Sequence, residues 1–140
     1  MKALIGSLTL AAALALPAST LAQDKAAALK GHDPVAYFVD GRPVKGTPSI
    51  AYDFDDSHYQ FSKPKHRELF AANPDRYAPQ FTGLCTVGMA KGMKAEADPS
   101  VWKIVDGRLY VFSSVQAREQ VEKDPSLLAK AHQVFKKVSH

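Results

Sequence analysis

A single small α+β domain is the fold class this sequence predicts, on three observations. Short runs of alternating residues are punctuated by tight-turn signals, among them Asp40-Gly41 and Asp106-Gly107. Apolar residues at the helical period follow them and fill the C-terminal end. Strand and helix patterns do not alternate one for one, so a small antiparallel sheet built from hairpins and covered by three to four helices on one side is expected, not a parallel sheet. The 140 residues are 46% apolar and 23% charged, which suits one core and excludes a disordered chain. No internal repeat stands out, and low complexity is confined to the N-terminal region.

The first 22 residues read as a secretory signal peptide: Lys2 supplies a positive start, Ala3 to Leu16 an apolar run, and Thr20-Leu21-Ala22 small residues at a cleavage point. Pro17 interrupts the apolar run, which is shorter than the roughly 18 to 20 residues a spanning helix needs. A periplasmic or secreted protein with no membrane anchor after cleavage is therefore expected. Gln23 to Lys30 then form a flexible alanine-rich tail or short helix, and the domain runs from Gly31 to His140.

Val35 to Val39 is a β-branched and aromatic run that meets Asp40-Gly41, with Arg42 to Lys45 returning beside it, and predicts a first hairpin. Ile50, Tyr52 and Phe54 alternate with polar residues, and beyond an Asp55-Asp56-Ser57 turn so do Tyr59 and Phe61. They predict a second hairpin that leaves His58 on the solvent side. Ser62 caps a helix with Pro64 in its first turn, on which His66, Leu69 and Phe70 share the buried stripe before Pro74 ends it. Val101 to Val105 and Arg108 to Phe112 flank Asp106-Gly107 as a third hairpin. Ser113 and Gln116 have capping-box spacing. Asp124-Pro125 opens a last helix whose Leu127, Leu128, Ala131, Val134, Phe135 and Val138 follow the 3.6 period.

The charge of +4 falls to +3 without Lys2, and the basic residues are interspersed with acidic ones. Nucleic acid is excluded as a partner on that pattern. The tightest basic group, Lys63, Lys65 and Arg67, reads as the solvated face of a helix turn. Cys85 is the only cysteine, so no disulfide scaffold exists and a lone exported thiol needs burial or ligation. If Leu84 to Lys94 is helical, Cys85, Met89 and Met93 form one ridge. Thiolate and thioether donors select copper(I), and His66, turned inward on its own helix, is the expected nitrogen donor. The plain alternative is packing, since buried methionine and cysteine fill cores and Gly88 and Gly92 permit close helix contact.

No motif of a serine hydrolase, zinc protease, phosphate-binding loop or thiol redox enzyme is present. A thiol enzyme would rest on Cys85 and His66 alone. Asp33, before Pro34, is expected to bond its own backbone, while His132 and His140 are expected in solvent.

Gly31-His32-Asp33-Pro34-Val35-Ala36-Tyr37-Phe38, Tyr59-Gln60-Phe61-Ser62, the Phe70 to Gln80 stretch, Gly83-Leu84-Cys85 and Trp102 to Gly107 together resemble the exported YHS domain-containing proteins. The resemblance implies a small α+β module. Other YHS domains are attached to metal-transporting ATPases and oxygenases. Their metal-associated branch carries Asp-Pro-Val-Cys and later Phe-Cys-x-x-x-Cys, where this chain has Ala36, Ser62 and His66.

The leading expectation is a copper(I) or other soft-metal binding protein using Cys85, His66, Met89 and Met93, for storage, transfer or sensing, as a monomer or weak oligomer exchanging metal with a donor or acceptor protein. The second is a ligand-binding or interaction module with Tyr37, Tyr52, Phe61, Trp102 and Tyr110 shaping an aromatic surface.

Overall fold

A computed structural model describes Ala3 and residues 25–139; the rest of the signal-peptide segment, the first two residues of the expected tail and His140 lie outside the described residues. The expected α+β class is what the chain adopts, but with two separate two-stranded antiparallel sheets in place of one. A 3-10 turn at Ala28–Gly31 leads to α1 (Ala36–Val39), the hairpin β1 (Thr47–Phe54) and β2 (Ser57–Phe61), then α2 (Pro64–Ala72) and α3 (Pro74–Tyr77). The order then starts again. A second 3-10 turn at Gln80–Gly83 leads to α4 (Thr86–Ala90), β3 (Asp98–Val105), β4 (Arg108–Phe112), α5 (Val115–Lys123) and α6 (Ser126–Val138).

The second half thus repeats the first element by element, and the expectation of no internal repeat is corrected. Tyr59-Gln60-Phe61-Ser62 returns as Tyr110-Val111-Phe112-Ser113. Strand pairing keeps the same register in both halves: Thr47 faces Phe61 as Asp98 faces Phe112, and Tyr52 faces Tyr59 as Lys103 faces Tyr110. Both hairpin loops place their two central residues at positive φ, Asp55 and Asp56 in one and Asp106 and Gly107 in the other, the backbone that matches strand twist. Each 3-10 turn holds two non-glycine residues and a glycine in the left-handed region, Leu29, Lys30 and Gly31 against Phe81, Thr82 and Gly83.

The predicted first hairpin is instead the helical turn α1. Asp33 Oδ1 accepts the backbone N–H of Val35 (2.9 Å) and Ala36 (3.2 Å), capping the turn, and Gly41 at φ 67 ends it. Asp-Gly is a helix stop as well as a hairpin signal, and the cap decides between them here. Gly46 is required for another reason: a Cβ there would lie 2.5 Å from the Gln60 carbonyl carbon, so β2 passes against bare backbone. The packed chain begins earlier than Gly31, because Leu29 is buried and Ala27 bridges His58.

Two clusters make the core. The first half gathers Val35, Tyr59, Phe61 and Tyr77 with Phe70; the second gathers Phe81, Cys85, Met89, Leu109, Val111, Phe112 and Ala131 with their neighbours. Tyr37 crosses from the first half into the second. Its hydroxyl donates to the Pro99 carbonyl at 2.7 Å, and its ring meets Trp102 edge-on at 5.2 Å. Burial, and then the charges of Asp98 and Asp33, push its hydroxyl pKa up, so it stays a donor. The helix caps differ by one residue from expectation. The Ser114 hydroxyl, not that of Ser113, accepts the Ala117 N–H, and Ser62 caps nothing because its side chain is bound elsewhere. In α6 the expected stripe packs on the core up to Phe135, while Val138 is exposed.

Candidate functional site

Equivalent positions in the two halves hold the two most chemically distinct buried side chains, Asp33 and Cys85. Asp33 is fully buried and binds at both oxygens. Besides the two α1 amides on Oδ1, its Oδ2 accepts the Ser62 N–H (2.8 Å), the Ser62 hydroxyl (2.7 Å) and the His66 Nδ1–H (2.6 Å). A carboxylate can only accept from these groups, which fixes the His66 tautomer. The clamp joins the start of α1, the end of β2 and the face of α2.

Cys85 occupies the same cradle before α4. Its sulfur accepts the Ser113 N–H at 3.2 Å and lies 3.4 Å from the Ser113 hydroxyl. Burial pushes the Cys85 thiol up, but hydrogen bonds from the Ser113 hydroxyl and from the Gly88, Ser113 and Val87 amides outweigh it and hold the thiol below its ordinary value. Val87, Gly88 and Ser113 stand where Val35, Ala36 and Ser62 stand around Asp33. Ala117 stands where His66 does, so the thiol has no imidazole partner in the second half.

The four predicted metal donors are accordingly not brought together as one ridge with a facing histidine. Cys85 and Met89 are each 1% exposed on the same turn. Met93 lies beyond the end of α4 and is 53% exposed, because Gly92 at φ 77 turns the chain away. The ridge assumed a helix that continues to Lys94, and it stops at Ala90. His66 is buried as expected but bonded to Asp33 in the other half. No group of three or more His, Cys, Asp or Glu suited to a metal occurs among the described residues. His132 is not in solvent: it hydrogen-bonds the Tyr110 hydroxyl at 2.8 Å and packs on Phe81. Burial, then Arg108 and Lys136, push its pKa down.

The Cys85 cradle predicts a thiolate titration, followed by ultraviolet absorbance, with a midpoint below that of an unstructured thiol. The folded value lies below the unfolded one, so the stability this thiolate adds is complete above the unfolded value and is lost as pH falls through the folded value. Wild type should accordingly gain stability over Cys85→Ser as pH rises through that window. A midpoint at or above that of an unstructured thiol would contradict the cradle.

The aromatic residues expected to form a surface are mostly interior. Tyr37, Phe61 and Tyr110 are buried, and Tyr52 and Trp102 are half-buried. A different aromatic set lines an open hollow of 240 Å³ where the two halves meet: Phe54 and Tyr59 from the first hairpin, Phe81 from the second 3-10 turn, and Phe135 from α6. Asp55 and Asp75, with Gln80 and Thr82, supply the polar part of its lining. An adjoining hollow of 270 Å³ shares Asp55, Thr82 and Phe135 and reaches Met89 and Lys94. Sequence reasoning missed this set because it comes from four separate segments. The one available signal was the Tyr-x-Phe-Ser repeat, which implies a junction between halves.

Comparison with known protein families, with curated proteins and with solved structures returns no match.

Proposed function

We propose that this chain is a small-ligand-binding protein and that the aromatic hollow at the junction of its halves is the binding site. The observation that carries the reading is the hollow itself: an opening at the junction lined by aromatic residues of four elements, with Phe54 and Phe135 partly exposed over the buried Tyr59 and Phe81, and with carboxylates beside them. Ligand sites favour such junctions, with apolar rings supplying contact area and a few polar groups fixing orientation. Two-dimensional NMR of the labelled protein against a library of small aromatic, aliphatic and charged compounds tests this. Hits should shift amides of the β1–β2 turn, the second 3-10 turn and α6, and Ala78→Phe, which fills the hollow, should abolish them. A library with no hit at these residues would overturn the reading.

A second reading keeps part of the soft-metal expectation. Cys85, held toward thiolate, and Met89 on the same buried turn could bind copper(I) as a two-sulfur site, without His66 or Met93. An anaerobic copper(I) competition titration in which folded Cys85→Ser competes as well as wild type would exclude it.

A further inference from the structure

Resting on the hollow as the ligand site, we infer that its ligand is a small organic ammonium ion, held against the partly exposed Phe54 and Phe135 rings and by the Asp55 and Asp75 carboxylates. The two acids come from different elements, the β1–β2 turn and α3, and both line the same hollow. No lysine or arginine lines it. Among the described residues neither carboxylate has an ion-pair or hydrogen-bond partner within the chain. Arg76, next to Asp75, is the nearest basic residue in sequence, and its guanidinium lies over the Tyr77 ring at 5.4 Å.

Chemistry separates the classes of ligand that four aromatic rings would admit. An anion would face two uncompensated carboxylates and no cationic side chain, with only the neutral donors of Tyr59, Gln80 and Thr82 in the lining. A neutral apolar ligand would gain ring contact but leave both acids unused at its edge. An ammonium ion with methyl or methylene groups uses both features, since the ring faces and the carboxylates attract the same charge. Lys94, in the adjoining hollow, marks the side from which a cation is repelled, while Asp56 on that side adds to the acidic turn. The chain as a whole carries +4, so this acidic lining is a local feature set against the overall charge.

Choline and its neutral isostere, in which a tert-butyl group replaces the trimethylammonium, are the probes, each titrated into the full chain by NMR and calorimetry. Choline should bind at the hollow at least tenfold more tightly than the isostere. Asp55→Asn and Asp75→Asn should each weaken it about fivefold, as expected for one exposed carboxylate near the charge. Asparagine also accepts the left-handed backbone at position 55, so this variant should stay folded. Added salt should weaken choline and leave the isostere unchanged. Equal binding of the two probes would overturn the ammonium inference and leave the hollow as a ligand site. Binding of neither probe, with library hits retained, would also overturn it. Absence of both probes and of every library compound would remove the underlying reading as well.

Discussion

Asp33→Ala is expected to lower stability by about 3 to 5 kcal/mol, because each donor left without its acceptor in the interior costs about 1 kcal/mol or more. Five donors lose their acceptor together: the Val35 and Ala36 amides, the Ser62 amide and hydroxyl, and the His66 ring. His66 is only 3% exposed, so water cannot replace the carboxylate without opening the core. The loss would be a large share of the 5 to 15 kcal/mol typical of a small domain. Asp33→Asn should cost nearly as much, because its amide NH2 would face the donors of Ser62 and His66. Urea unfolding of the two variants checks this, and a fall under about 1 kcal/mol for both would show that the clamp is dispensable. Asp33→Cys, which transplants the residue of the second half, should remain weaker than wild type, since His66 has no counterpart around Cys85 and a single sulfur cannot present two acceptor atoms.

What could be read in the sequence was whatever has a period. β1–β2 and β3–β4 were legible because Tyr52, Phe54, Tyr59 and Phe61 alternate, and because Asp106-Gly107 needs positive φ. Pro64, Pro74 and the Leu127 to Phe135 spacing marked α2 and α6. The misreadings share one cause: each turned on the conformation of one or two residues that propensity does not report. Ala36 to Val39 has strand composition and is helical because Asp33 caps it. The sulfur ridge ends early because Gly92 turns left-handed. The repeat went unseen because its two copies share backbone more than side chains; Leu29 and Lys30 answer to Phe81 and Thr82, and nothing about a leucine or a phenylalanine announces a positive φ. The same holds for the candidate site. Cys85 was picked out correctly as a residue that needs a protected setting, but its partner is Ser113, identified only once Ser62 is seen doing the same for Asp33.

Phe70→Ala is the second large effect, about 3 to 5 kcal/mol, because Phe70 is the centre of the aromatic core of the first half. Its ring is fully buried, with Tyr59 at 4.8 Å, Phe61 at 5.2 Å, Tyr52 at 5.9 Å and Phe54 at 6.1 Å. Four rings around one leave a void that no small rotamer change can close, so the cavity contribution should be near the top of its range. The counterpart in the second half, Val121, is 2% exposed but smaller, and Val121→Ala should cost less, about 1 to 3 kcal/mol. Phe54 and Tyr59 touch Phe70 on one side and line the hollow on the other. Loss of Phe70 should therefore loosen the site as well as the core. Phe70→Leu separates the two effects: it should retain most of the stability, yet bind the compounds that occupy the hollow more weakly, because the two lining rings lose the surface that orients them. Equal unfolding midpoints for wild type and Phe70→Ala would refute the packing, and unchanged binding in a folded Phe70→Leu would show that Phe54 and Tyr59 are positioned without it.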